Sequence, residues 1–448
     1  MIPDVLSVGS NEIINTARLR QYLSSVGSPF ANGADICTCY SLTSEVLGDL
    51  PYTTVSDPDN PAPWYDDDVP DSAGFLGLLP LSIEGLDEYP VTRDVTASVS
   101  GSGSIGPQRV QPRTITVTAL LLGTSCCGVD YGFHWLTQAL QGCNGGACSG
   151  DCMTMYNCCP PQGLTAAQYN ARHRRTYRRV ALTDGPRVTA RNGSGSCGDA
   201  CSSGTCSNDA DILTVEFTIT AGTPWAWTDP TPLVDVDLQA SISPDCVTWC
   251  PPGSTDPDCV GVSCTYANCP APADNCVDPN CTAVDLPQFS NVIRTTCSCT
   301  PLATETTCYS IDLSNRPQWA SDTPVITVRA GTEELRNLTI TLYQRAAGQD
   351  ALTCAQLAAA NRCDPYAVWF ISYIPAGGGV VLDGQIDRAT LECGGECQAA
   401  RNVFGLNGAP AQFPTLDCAN YCLCVETDAV NPPGPNSHLS MSVSGKGL

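Results

Sequence analysis

The sequence predicts a multi-domain, mainly β protein, and three observations carry that reading. Thr, Val, Ile and Leu recur in short runs between Gly/Pro/Asn/Asp clusters, with 39 Gly and 35 Pro among 448 residues. Several runs alternate apolar and polar side chains with period two, the pattern of a half-buried strand. Hydrophobic content of 42% is enough for real cores, and at roughly 100–200 residues per domain the length suits two to four of them.

Residues 1 to about 50 read as a lead-in, with helical spacing over Asn11–Leu23 (Ile13, Ile14, Ala17, Leu23) that ends before Gly33 and Cys37-Thr38-Cys39. Residues 51–72 are rich in Pro and Asp and read as a surface loop. Strands follow at Leu79–Leu86, Val95–Val99 and Arg113–Leu122. Asp130–Leu140 reads as a short helix, with Asp130 as its cap and Phe133, Leu136 and Leu140 on one face. Val180–Leu182 is strand-like before a turn at Asp184-Gly185-Pro186. The clearest strand is Asp211–Thr220, where Ile212, Val215, Phe217 and Ile219 alternate with Thr214, Glu216 and Thr218. These elements group as a first domain, 1–242. Residues 243–320 change character: Pro, Asp and Cys dominate and long apolar residues are scarce, so cross-links must replace a core. This is read as a stapled linker. A C-terminal β-sandwich, 321–448, contains Val325–Val328, Leu338–Tyr343 and Ala367–Ile374, with Gly377-Gly378-Gly379 as a hairpin tip before Val380.

Cysteine is the strongest single signal: the chain has 29. Cytosolic proteins seldom carry so many unless they bind metal. Zinc knuckles need paired C-x₂₋₄-C spacings, often with histidine; Cys197/Cys201 and Cys246/Cys250 fit loosely, and most others do not. Disulfides are therefore the expected state. The candidates are Cys143, Cys148, Cys152, Cys158 and Cys159, then Cys197, Cys201 and Cys206. In the linker they are Cys246, Cys250, Cys259, Cys264, Cys269, Cys276, Cys281, Cys297, Cys299 and Cys308. Further on they are Cys393, Cys397, Cys418, Cys422 and Cys424. Pairing does not follow from sequence, and the odd total leaves one thiol free or bridged between subunits. The opening Met1-Ile2-Pro3-Asp4-Val5-Leu6 is not a signal peptide, and no apolar stretch approaches the ~20 residues of a membrane span. A particle protein made in a host cytoplasm, released by lysis and oxidised afterwards reconciles these facts.

The net charge of -24 argues against nucleic acid as a specific partner. Arg172, Arg174, Arg175, Arg178 and Arg179 form the one basic cluster, read as an intra-chain or inter-subunit ion-pair patch. Arg174, Arg175 and Arg178, with Trp225 and Trp227, are the candidate interface residues. Three histidines, His134, His173 and His438, carry no local signature of a Cys–His or Ser–His enzyme. Asp66-Asp67-Asp68 lacks the spaced acids and Gly of a calcium loop. No catalytic residue, metal or cofactor is assigned, and the chain is read as non-enzymatic.

Several stretches together resemble one family, the minor tail proteins of the distal-tail type from long-tailed siphophages of actinobacteria. Asn11-Glu12-Ile13-Ile14-Asn15-Thr16-Ala17-Arg18 is similar to the family's opening. Arg113–Thr124 followed by Tyr131-Gly132 and Trp135-Leu136, Asp184-Gly185-Pro186-Arg187-Val188, and Val215–Trp225 resemble its first domain. Pro324–Leu342, Ile374-Pro375, Leu382-Asp383-Gly384 and Phe413-Pro414 before Cys418 resemble its C-terminal sandwich. The resemblance implies a β-sandwich or split-barrel belt domain with a short helix, closing into a six-fold ring under the tail tube. It further implies a galectin-like or carbohydrate-module-like β-sandwich outside the ring. The partners so implied are copies of the chain itself, the tail tube protein, and tape-measure, tip or fibre proteins of the virion baseplate, around a channel for DNA. An alternative function is a module gripping host cell-surface glycans, with Trp369, Phe370 or Tyr373 as stacking candidates; strand alternation lets at most one of Trp369 and Phe370 be exposed.

Overall fold

The computed structural model of the protein describes residues 2–9, 11–25, 39, 41–48, 54–88, 90–99, 101–141, 151–192, 212–238, 246–249, 298–301, 304–316, 321–393, 396–428 and 432–447. It is mainly β, as the sequence predicts. Most of the cysteine-rich linker, 250–297, lies outside these residues.

The chain opens with β1 (Ile2–Val8), which turns back as β2 (Asn11–Asn15) with Leu6 opposite Ile14. Helix α1 (Thr16–Ser25) follows directly. The helix expected from Asn11 therefore starts only at Thr16, for two reasons. Adjacent β-branched Ile13 and Ile14 suit a strand. Asn15 caps the helix, its Oδ1 accepting from the Arg18 N–H at 3.1 Å.

A single turn, α2 (Ser44–Leu47), precedes β3 (Phe75–Glu84). From β3 the chain runs outward through β4 (Val91–Thr92) and β5 (Val95–Ala97). It returns through β6 (Gly103–Ile105) and β7 (Arg109–Val110) into β8 (Arg113–Gly123). Helix α3 (Cys126–Gln141) comes next. It begins earlier than expected because Ser125 Oγ accepts from the Gly128 N–H at 3.1 Å; Asp130 sits in the second turn and is not the cap. Leu136 and Leu140 are buried, with Phe133 packed at the edge of the same core. Gly128 and Gly132 let this helix lie close to the start of β3. A Cβ on Gly128 would stand 2.4 Å from the Gly74 backbone, and one on Gly132 2.3 Å from the Phe75 ring.

Next come β9 (Asp151–Tyr156), α4 (Ala166–His173), β10 (Arg174–Asn192) and β11 (Ile212–Thr228). The expected turn at Asp184-Gly185-Pro186 is instead a register shift inside the single long strand β10, with Gly185 at φ 81°. The predicted strand at 211–220 is present and longer. It pairs with β8 without interruption, from Ile212 opposite Leu122 to Ala221 opposite Arg113. The inward faces of β3, β8, β10 and β11 and the apolar stripe of α3 share one core, which includes Phe75, Val117, Leu136, Tyr177 and Phe217.

After β11 the chain enters the second sandwich at once. β12 (Thr231–Asp237) is followed by a short pair, β13 (Cys246–Trp249) and β14 (Ser298–Pro301). Then come β15 (Thr304–Asp312), β16 (Asp322–Arg329), β17 (Leu335–Gln344), α5 (Cys354–Ala360) and β18 (Ala367–Ile374). The fold closes with β19 (Gly379–Asp383), β20 (Arg388–Cys393), β21 (Glu396–Ala399), β22 (Val403–Phe404), β23 (Asn420–Asp428) and β24 (His438–Gly447). One sheet runs β12-β24-β16-β19-β20-β21 and the facing sheet β15-β23-β17-β18-β22. Their inner faces meet at Ile326, Leu338, Ile340, Trp369, Leu423 and Met441.

Three features of this half depart from the sequence reading. Residues 304–312, expected within the linker, pair along their whole length with β23. Residues 231–237, expected in the first domain, pair with β24 in the second sandwich. Gly377-Gly378-Gly379 is no hairpin tip: β18 pairs with β17 and β22, while β19 pairs with β16 and β20, so the glycines carry the chain from one sheet to the other. His438 opens β24.

Candidate assembly surfaces and cysteine sites

The excursion between β3 and β8 is a two-stranded arm. Val91 pairs with Val110 and Val95 with Ile105, and these short ladders belong to neither large sheet. An isolated two-stranded ribbon is marginal in water. This one also presents apolar side chains to solvent: Val95 is 71% exposed, Ile105 68% and Val110 48%, with Val99 fully exposed. Its root is firm. Buried Arg113 reaches across the stem, donating from Nε to the Pro224 carbonyl at 2.8 Å and from its terminal nitrogen to the carbonyls of Gly85 and Leu86. Its guanidinium also lies 5.8 Å from the centre of the Tyr177 ring.

The basic cluster on α4 and β10 is matched largely within the chain. Arg174 Nε meets Asp229 Oδ1 at 2.7 Å, and Arg178 meets Asp383 Oδ2 at 2.6 Å while donating to Cys152 Sγ at 3.1 Å. Arg175 donates to the carbonyls of Arg172 and Arg174, and burial lowers its pKa. Arg172 and Arg179 are exposed. The tryptophans sit where β11 meets β24. Trp227 is buried and lies opposite Lys446, and the Lys446 ammonium stands 4.0 Å from the centre of the Trp225 ring. Burial lowers the Lys446 pKa, and the Asp387 charge works against that shift. Arg178, Trp225 and Trp227 thus build the joint between the two halves of one chain. The Arg178–Asp383 pair is its buried ionic contact, with the aspartate side chain only 8% exposed. Asp383→Ala is expected to cost about 2 kcal/mol by leaving the guanidinium half-buried without its carboxylate. Urea unfolding monitored by circular dichroism measures this, and an unchanged midpoint would count the pair as neutral.

Among the candidate cysteines, Cys159 is bridged to Cys39, and Cys308 to Cys424 across β15 and β23. Cys422 is bridged to Cys354, which holds α5 against the outer face of β23. Cys39 and Cys354 escaped the sequence reading. A signal for α5 was present in Thr353 and Gln356, which form a reciprocal capping box, as Thr165 and Gln168 do for α4. Cys152, Cys158 and Cys418, expected in disulfides, are thiols here. Their nearest polar neighbours are Arg178, His173 and the Ser314 carbonyl respectively. Cys143, Cys148, Cys197, Cys201, Cys206, Cys250, Cys259, Cys264, Cys269, Cys276, Cys281 and Cys297 lie outside the described residues, as do the side chains of Cys246, Cys299, Cys393 and Cys397.

The three histidines stand on separate elements. His134 projects from α3 beside Asp130 at 3.7 Å, and His438 contacts Asp235 on the neighbouring strand. His173 ends α4, where burial together with Arg175 and Arg172 holds its pKa below the usual imidazole range. Asp66, Asp67 and Asp68 are all exposed. Of the glycan-stacking candidates, Trp369 is fully buried and donates to the Gln412 carbonyl at 3.0 Å. Phe370 faces outward and lines an open groove of about 480 Å³ with Thr339, Val368, Phe404, Leu406 and Asn407. Tyr373 is 39% exposed, under the Arg336 guanidinium.

No family model matches the chain, and no curated protein does. Among solved structures, the chain is similar to the Dit (gp 19.1) protein of phage SPP1, described as a paradigm of the hub adsorption apparatus in phages infecting Gram-positive hosts. Identity is 10%, covering 84% of this chain and 96% of that one, with a TM-score of 0.36. A second similar structure is the phage P2 baseplate in its activated conformation with calcium, at 9% identity, 82% and 90% coverage and a TM-score of 0.36. The same baseplate with strontium gives 10% identity, 82% and 90% coverage and 0.35.

Proposed function

We propose that this chain is a structural, non-enzymatic subunit of a phage tail tip. In this reading copies of it close into a six-fold ring that joins the tail tube to tip or fibre proteins and leaves a channel for DNA. The observation that carries the reading is the arm between β3 and β8, which has a root held by Arg113, pairs with no other strand among the described residues and puts apolar residues in solvent. Such an element gains its stability from a surface outside its own fold. Docked on the next copy it makes a heterologous contact, the kind that generates rings when the rotation closes. Residues up to β11, carrying the arm, form the belt, and the sandwich of β12 and β15–β24 hangs outside it. The net charge of -24 suits a channel that must pass DNA without gripping it. Assembly in the host cytoplasm and release with the virion on lysis complete the reading.

The test is the mass of the purified chain by light scattering, with electron microscopy of the same sample. Rings of six copies are expected; a monomer at all accessible concentrations would overturn the proposal. A second reading, glycan capture in host adsorption, is favoured by the outward Phe370 beside Phe404 in the open groove.

A further inference from the structure

Arg345, the residue after β17, sets its guanidinium against a disulfide. One terminal nitrogen donates to the carbonyls of Gln349 at 2.6 Å and Leu352 at 2.7 Å. The other lies 3.4 Å from Cys422 Sγ and 3.8 Å from Cys354 Sγ, the two ends of one bridge. Among the described residues this cation meets no carboxylate. Two carbonyls and a neutral disulfide accept its hydrogens without cancelling its charge.

The two sulfurs differ in exposure. Cys422 is fully buried in a small cluster with Tyr343, Leu357 and Cys424, whereas Cys354, the first residue of α5, is only partly buried. A buried thiolate is costly unless a cation stands against it. Arg345 is that cation for Cys422. Two residues along β23, Cys424 is bridged to Cys308 on β15, and Arg345 makes no hydrogen bond to that bridge.

We propose that the Cys354–Cys422 bridge is a covalent exchange site for external thiols. The incoming thiolate attacks the Cys354 sulfur and forms a mixed disulfide there. The Cys354–Cys422 bond breaks, and its electron pair leaves on Cys422 as a thiolate beside Arg345. One disulfide replaces another, so the step needs nothing but the thiol itself. Exposure sets the sulfur that is attacked. Charge sets the sulfur that leaves, because exchange is faster when the departing thiolate is better stabilised. The product carries the ligand on α5 and ends the covalent hold of α5 on β23, while Cys308–Cys424 keeps β15 on β23.

The full chain is incubated with reduced glutathione at mildly alkaline pH, sampled at early times, quenched with acid, alkylated and mapped by mass spectrometry without reduction. Glutathione on Cys354 with alkylation on Cys422 is expected, appearing roughly 10-fold faster than any opening of Cys308–Cys424. An intact Cys354–Cys422 bridge, or glutathione on Cys422 with Cys354 alkylated, overturns the proposal. So does opening of both bridges together, which would mean access through unfolding. Arg345→Gln is expected to slow capture roughly 10-fold by removing the cation beside the leaving thiolate. The same change frees the Gln349 and Leu352 carbonyls, so a purely structural arginine would loosen α5 and speed capture. A rate equal to the parent's or above it overturns the role of the charge. The wild-type map stands whether or not that variant folds.

Discussion

On the proposed ring reading, deleting residues 92–109 and joining Val91 to Val110 through an Asn-Gly turn is expected to convert rings to monomers while the rest of the chain stays folded. Val91 and Val110 already face each other across the stem, so a two-residue turn closes the gap without strain. The root survives, because Arg113 and its carbonyl partners at Gly85, Leu86 and Pro224 are all retained. What is lost is the solvent-facing apolar set of Val95, Val99 and Ile105. Each such side chain contributes roughly 1.5–3 kcal/mol when fully buried. Even after the cost of ordering the arm, a net loss of about 4 kcal/mol per contact weakens association roughly 10³-fold. Light scattering over a concentration series reads the change, and circular dichroism checks the fold. An unchanged ring mass after deletion would show that the arm is not the ring contact.

The second large effect is expected at Trp369. Its ring is fully buried in the C-terminal core, beside Phe413 at 6.4 Å and opposite Ile340 on β17. Trp369→Ala removes that packing and leaves the Gln412 carbonyl without its donor, at a cost of about 3–5 kcal/mol. Phe370→Ala, one residue along the strand, should cost only about 1 kcal/mol because its ring faces the groove. The pair separates core from surface. Chemical unfolding should shift sharply for Trp369→Ala and little for Phe370→Ala. If glycan capture is real, array binding should instead fall with Phe370→Ala while the fold holds. Equal unfolding midpoints for the two variants would contradict the assignment of inner and outer faces.

Where one face of a strand meets a core and the other meets water, period two is written directly in the residues. That is why the strand at 212–220 and the outward turn of Phe370 relative to Trp369 were legible. Caps are equally local: Thr165/Gln168 and Thr353/Gln356 announce α4 and α5 in four residues each. Local patterning fails where partner choice decides. Ile13 and Ile14 satisfy helical spacing, yet β1 offers them a ladder and Asn15 caps the helix behind them. The three glycines at 377–379 suit a hairpin tip or a crossover between sheets, and only the strand partners distinguish the two.

The sequence by itself determined the mainly β class, the alternating core strands, the acidity and the abundance of cysteine. Each is a property of composition or of residues a few positions apart. Tertiary structure alone decided which sulfurs meet, since Cys39 and Cys159 come together over a separation of 120 residues. It also decided that Arg178 and Asp383 join the two halves, and that the strand at 95–97 is an arm in solvent and not part of a core. The physical reason is common to all three: an alternating run states that one face wants burial, but what buries it is a contact between distant parts of the chain, or between one chain and the next.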